Sequence, residues 1–146
     1  MYVTVRNARD RNLTSVLKTA THFYAYMLMS PQLIKHLSIR ILVHDNLGNA
    51  NGYCSPEDCS GKIRSFEIDL RKMRTNRMLK LLAHEMVHVK QFAKNELKAR
   101  HFKDGYKTLW HGEVCDIDSY WDQPCEIEAF TLEEELLCYF KKEYEY

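Results

Sequence analysis

Residues 81–92, "LLAHEMVHVKQF", place three ionisable side chains inside an otherwise apolar run. His84 and His88 are four positions apart, and Glu85 directly follows the first histidine. The leucine, valine and phenylalanine residues around them have the spacing of a buried helix. Because unpaired polar groups in such a helix carry a burial penalty, the fold has to give these three side chains a partner.

On a helix, residues four apart lie on one face, so the imidazoles of His84 and His88 can meet a single ion. Neutral imidazole is a good ligand for Zn²⁺. Glu85 is rotated by about 100° from His84, so it is a poor third ligand but can reach a water bound to the metal. This is the H-E-x-x-H pattern, in which the glutamate takes the proton of the water as the water attacks a carbonyl. The segment therefore predicts a zinc site with Glu85 as the general base.

A hydrolytic zinc site needs a third protein ligand and one open position. Four residues are candidates for the third ligand: His101, His111, Glu126 and Glu128. On a last helix that begins at Pro124, a rotation of about 100° per residue puts Glu126 in the apolar stripe and Glu128 on the opposite, solvent-facing side. Since a carboxylate on a buried face needs a cation, we predict Glu126 as the ligand.

Two further residues near the last helix are candidates for supporting roles. Glu133 shares the stripe of Glu126, and we interpret it as a residue at the edge of that stripe, with a hydrogen bond to a ligand as the alternative. Tyr120 directly precedes the helix, where its phenol is predicted to stabilise the developing oxyanion. The alternative is that Tyr120 and Trp121 pack against the core.

The apolar patterns along the rest of the chain predict an α+β fold with a small, mostly antiparallel sheet packed against an N-terminal helix, the H-E-x-x-H helix and a C-terminal helix. The H-E-x-x-H helix should begin near Thr75 or Asn76, with either residue as its cap, and end near Lys94. The other expected elements are a strand at 2–5, a helix within 11–30, a strand ending near Val43, a hairpin-like pair over 52–70, and a loop with a short strand pair over 104–118.

Composition is that of one globular domain over residues 1–146, with 21 Lys and Arg against 20 Asp and Glu. The net charge of +1 lacks the basic excess of a nucleic-acid-binding protein, so we expect no nucleic-acid partner. The basic clusters at 71–77 and 94–103 are interpreted as solvated helix ends and loops.

Nothing in the sequence indicates a membrane partner or secretion. No apolar run reaches the roughly 18 residues that span a bilayer. The N-terminus also lacks the charged region, apolar stretch and cleavage site that follow one another in a signal peptide. We therefore expect a monomer in the cytosol.

The five cysteines are predicted to be free thiols in that compartment. Cys54 and Cys59 are close enough in sequence to suggest a second metal site, but no matching Cys/His pair follows them.

The motif "HEMVH", followed by the E-x-x-A segment at 126–129, resembles the gluzincin group of zinc metallopeptidases. Together with "LWHGEVCD" and "YWDQPCEIEAF", it is similar to small SprT-like or phage-encoded metallopeptidases over about residues 78–130. This resemblance implies a minimal zincin-like catalytic domain and a zinc endopeptidase activity. It also implies that His84, His88 and Glu126 are ligands, that Glu85 is the base, and that "SFEIDL" at 65–70 is the edge strand that holds an extended polypeptide substrate.

Two other functions are compatible with the sequence. One is a zincin-like binding module with a structural zinc, whose fourth position is filled by His101, His111 or a cysteine. The other is an SprT-like protease acting on nucleic-acid-associated proteins, which the basic clusters favour. Typical SprT proteins have a third histidine as a ligand and often a separate zinc ribbon. This sequence has neither the corresponding histidine spacing nor a module of four cysteines.

Overall fold

The computed structural model describes residues 1–57, 61–103 and 105–146, without the side chain of His101. The described chain is an α+β fold in which the long helices pack against a four-stranded sheet and a three-stranded sheet lies beside them. None of the helices in these ranges has the length and apolar character needed to cross a bilayer. The helices are α1 (Arg11–Leu28), α2 (Pro31–Ile34), α3 (Thr75–Ala93), α4 (Pro124–Tyr144) and a 3-10 turn (Tyr120–Asp122).

The larger sheet has the strand order β1-β2-β4-β3. Strands β1, β2 and β4 are parallel, whereas β3 is antiparallel to β4. The prediction of a mostly antiparallel sheet is therefore wrong for the sheet that packs on the helices. Parallel neighbours require a crossover connection, and α1 supplies one between β1 and β2. The strands are β1 (Tyr2–Arg6), β2 (Ser38–His44), β3 (Gly52–Glu57) and β4 (Ser65–Arg71).

Strand β4 lies in the interior of the sheet, between β2 and β3. The expectation that this segment is the substrate-holding edge strand is therefore wrong, and the edge nearest α3 is β3. Every second residue of β4 is fully buried, namely Phe66, Ile68 and Leu70. The same alternation occurs in central and edge strands of a sheet with one solvated face, so sequence did not distinguish them. The predicted hairpin of β3 and β4 is confirmed.

The smaller sheet is antiparallel and consists of β5 (Leu97–Phe102), β6 (Gly105–Trp110) and β7 (Glu113–Val114). The strand pair predicted over 104–118 is confirmed by β6 and β7. Strand β5 was missed, because its basic residues suggested a loop. Arg100 of β5 instead lies over the ring of Phe102, 5.8 Å from its centroid, and Lys107 of the neighbouring β6 lies 5.5 Å from the same centroid.

Helix α3 occupies the centre of the fold and contacts α1, α4 and strands of both sheets. Its bounds agree with the prediction, but Arg74 is the N-cap and provides no side-chain hydrogen bond, so the predicted cap at Thr75 or Asn76 is wrong. The aromatic rings of Phe23, Tyr24 and Phe140 meet edge to face or tilted where α1 packs near α4.

Four of the five cysteines can be compared with the prediction of free thiols. Cys54, Cys115, Cys125 and Cys138 are free, as predicted. Cys59 lies outside the described residues, and so does the possible clip with Cys54.

Tyr24 ties α1 to the central helix through its fully buried hydroxyl, which donates to the carbonyl oxygen of Leu79 at 3.0 Å. We expect Tyr24→Phe to lower the free energy of unfolding by about 1 kcal/mol, because the exchange removes one buried hydrogen bond and little volume. Urea denaturation measures the change. Tyr26→Phe is the matched control, since Tyr26 is on the same helix and 66% exposed; equal losses in both variants would contradict the expectation.

Candidate metal centre

Helices α3 and α4 bring three predicted ligands together. One ligand atom from each of His84, His88 and Glu126 lies within 4.8 Å of the others. The Nε2 atom of His88 is 2.5 Å from Oε1 of Glu126, and the Nε2 atom of His84 is 3.3 Å from Oε2. All three residues are buried, and Oε2 has no hydrogen-bond partner among the described residues. This donor set can hold a metal ion, and the predicted grouping of Glu126 with the histidines is confirmed.

The charges of the cluster favour a cation at its centre. Burial raises the pKa of Glu126, but the adjacent imidazoles of His84 and His88 outweigh burial and hold that pKa well below its usual range. Burial lowers the pKa of His84, but the adjacent carboxylates of Glu126 and Glu133 outweigh burial and raise it to about 9. The same negative surroundings that favour positive charge on the imidazoles would favour a metal ion between them.

Glu133 contacts the Nδ1 side of the His84 ring. Its Oε2 atom is 2.8 Å from Nδ1 of His84, so Glu133 forms the hydrogen bond to a predicted ligand that the alternative interpretation expected. A histidine whose Nδ1 atom is occupied by a carboxylate presents Nε2 to a metal in a fixed orientation. Lys80 lies 3.7 Å from the other carboxylate oxygen of Glu133.

Gln91 holds the ring of His88 in the same way, and this role was missed in the sequence. Nδ1 of His88 lies 2.8 Å from Oε1 of the fully buried Gln91. The amide nitrogen of Gln91 in turn donates to the carbonyl oxygen of Cys125 at 2.9 Å and to Glu128 at 3.1 Å. The available signal was the i, i+3 spacing of His88 and Gln91, which places both side chains on one helix face.

Glu128 is not part of the donor cluster, in agreement with the choice of Glu126. It does not point freely into solvent, however, because it is half-buried and lies 2.7 Å from Nζ of Lys90. His111 is exposed in the turn between β6 and β7 with its ring against Trp110, outside the cluster. The side chain of His101 lies outside the described part of the chain.

Glu85 lies beside the cluster, against the edge strand β3. Burial is the largest influence on its carboxyl group and raises the pKa to about 7, although the two nearby histidines oppose this shift. Gly52 of β3 leaves the space that the carboxylate needs. A Cβ at Gly52 would lie 3.2 Å from Oε1 of Glu85, 3.1 Å from Cδ1 of Leu81 and 3.1 Å from the carbonyl oxygen of Asp69. The predicted base therefore lies directly against the backbone of the edge strand.

An open groove of about 720 Å³ runs over the cluster between β3, α3 and α4. Tyr120 lines the groove and is 50% exposed; burial and the adjacent Glu126 carboxylate raise the pKa of its phenol. Trp121 is 67% exposed and stacks on Phe130 at 5.0 Å, so neither aromatic residue packs inside the core. The position of Tyr120 at the groove is compatible with its predicted role, which stays a prediction. Residues that represent the three walls are Gly52, Leu81, Glu85, Glu126 and Phe130.

Comparison with known proteins gives no match to this chain among family models, curated proteins or solved structures.

Metal content should depend on Glu126 and not on its neighbour on α4. We expect about one zinc per chain in the wild type, because three converging donors make one site. Glu126→Ala should lose the metal, whereas Glu128→Ala should keep it, since Glu128 pairs with Lys90 instead. Elemental analysis after purification in zinc-containing buffer measures both, and the reverse order of the two variants would refute the assignment.

Gln91→Ala should weaken zinc binding by about 10- to 100-fold, because His88 loses the hydrogen bond that fixes its ring. Competition with a chromophoric chelator measures the affinity. Gln32→Ala, at an exposed glutamine of α2, is the matched control and should bind zinc as the wild type does. An unchanged affinity in Gln91→Ala would show that the hydrogen bond does not support the ligand.

Proposed function

We propose that this chain is a zinc-dependent metalloendopeptidase with a zincin-like fold, in which His84, His88 and Glu126 hold the metal. One observation carries the proposal: the buried His-His-Glu donor set lies on the floor of an open groove with a buried glutamate beside it. Two imidazoles and a carboxylate are the donor set of many catalytic zinc sites, which keep a fourth position open. The metal identity follows from this chemistry and is part of the proposal.

Glu85 is the proposed general base. A carboxyl group with a pKa of about 7 can accept a proton from water and return it to the leaving amine near neutral pH. A zinc ion, when bound, would supply a water molecule of lowered pKa and a positive charge for the substrate carbonyl. Tyr120, half exposed beside Glu126, is the proposed donor to the oxyanion.

The edge strand β3 is the proposed position of the substrate backbone. It pairs with β4 on one side only, and its first residues line the groove. An extended peptide can therefore add to its free edge through main-chain hydrogen bonds. This arrangement replaces the expectation that β4 would hold the substrate, because both sides of β4 are already paired.

The number of protein donors favours a catalytic site over a structural one. A structural zinc site is closed by four protein ligands. Among the described residues, the group that can hold a metal has three members, and it opens to the groove. These two features support hydrolysis as the function.

Glu85→Gln should keep zinc but lower the rate of peptide-bond hydrolysis by about 100- to 10,000-fold, because the amide cannot accept the proton. Cleavage of unfolded casein, followed by release of amines, measures the rate, and elemental analysis confirms the metal. Glu143→Gln, at an exposed position near the end of α4, is the control for the same loss of charge. Unchanged cleavage by zinc-loaded Glu85→Gln would exclude Glu85 as the base.

A further inference from the structure

One end of the groove carries a cation that has no acidic partner in the described part of the chain. Arg77 lies on α3 two turns before His84, lines the groove and is exposed. Within the described ranges, its guanidinium group has no ion pair. The other lysine or arginine of the groove lining, Lys80, is 2.6 Å from Glu134 and also lies near Glu133. The charge of Lys80 is therefore compensated on the protein, whereas the charge of Arg77 is available to a ligand.

The distance from Arg77 to the metal centre corresponds to a short stretch of extended peptide. Seven residues of helix, from Arg77 to His84, rise about 10 Å along the axis. An extended chain advances about 3.3 Å per residue, so this distance corresponds to about three residues. Gly52, the first residue of β3, lies against both Leu81 and Glu85, which places the start of the edge strand beside the stretch of helix between Arg77 and the metal centre.

The groove differs in polarity between its two ends. The groove lining also includes the uncharged Asn49, Ala50 and Asn51, and Asn51 lies near the start of α3, because its carbonyl oxygen accepts from the backbone N–H of Arg71 at 2.8 Å. Toward the end of α3, Phe92 and Leu97 form an apolar lining. A carboxylate is therefore favoured at the Arg77 end and disfavoured at the other, where it would lose hydration without a partner.

We propose that Arg77 is a specificity-determining residue that selects peptides with a carboxylate about three residues from the bond to be cleaved. The inference rests on the proposed peptidase function. A guanidinium group presents two parallel N–H donors to a carboxylate, which gives direction as well as charge. The carboxylate has two possible sources, an aspartate or glutamate side chain or the C-terminus of the peptide.

Binding to the zinc-loaded Glu85→Gln protein tests the inference without requiring cleavage. The probes are fluorescein-labelled peptides whose one charged side chain is an aspartate at a different position in each, and their asparagine counterparts, made with a free and with an amidated C-terminus. We expect the best aspartate peptide to bind about fivefold more tightly than its counterpart, as for an ion pair of about 1 kcal/mol. Amidating the C-terminus separates the two sources: if the side chain is recognised, the preference for aspartate persists after amidation.

Two matched variants in the Glu85→Gln background locate the effect. Arg77→Gln should abolish the preference for aspartate, whereas Arg74→Gln, with the same change of net charge outside the groove lining, should retain it. Arg77→Glu should reverse the preference toward lysine peptides. Equal binding of all four peptides, aspartate and asparagine with a free or an amidated C-terminus, or equal effects of Arg77→Gln and Arg74→Gln, would overturn the inference.

Cleavage of a peptide library by the wild type, read by mass spectrometry, separates this inference from the proposed function. Enrichment of acidic groups about three residues from the cleaved bond supports the role of Arg77. Cleavage without such enrichment overturns that role and leaves the peptidase in place. With no cleavage at all, the peptidase proposal fails, and the binding measurements still decide whether Arg77 selects carboxylates.

Discussion

The interface between α3 and α4 depends on the burial of one carboxylate against two imidazoles. Removing a charge such as that of Glu126 from water costs several kcal/mol, and packing alone does not return this cost. His84 and His88 offset it, and both residues are held on their other side, by Glu133 and Gln91. The two helices therefore meet through a polar cluster whose geometry is fixed by hydrogen bonds, inside a core that is otherwise mostly apolar. A metal ion would complete the cluster, because its oxygen and nitrogen atoms already converge.

The parts of the site that follow a helical period could be predicted from sequence. The i, i+4 spacing gave His84 and His88, and the apolar stripe of α4 selected Glu126 over Glu128. The partners that hold the ligands were harder to find, because the contact between His84 and Glu133 joins two helices whose relative rotation no local pattern records. The order of the strands was not predictable for a similar reason. Alternation reports which face of a strand is buried, but it does not report how many neighbours the strand has.

A series of polar contacts begins at Nδ1 of His88 and extends away from the metal centre toward Lys90 and Glu96. His88 contacts Gln91, Gln91 contacts Glu128, and Glu128 pairs with Lys90, which also lies 2.8 Å from Glu96. A proposed metal ligand is thus connected to a partly buried group of charged side chains. Networks of this kind are worth more than the sum of their separate bonds only while each member is satisfied. The polar residues of α3 outside the H-E-x-x-H motif are consequently part of the site.

The contact of Gly52 with α3 also fixes how the edge strand pairs with its neighbour. A slip of β3 by one residue would turn Tyr53 toward the helix and reverse every side chain of the strand. A slip by two residues would keep the faces but bring Ala50 or Cys54 to the place of Gly52, with a Cβ too close to the Asp69 carbonyl oxygen and to Glu85. The absence of a side chain at Gly52 therefore disfavours both registers that are shifted by two residues. The register of β3 and the position of the Glu85 carboxylate are therefore coupled through one glycine.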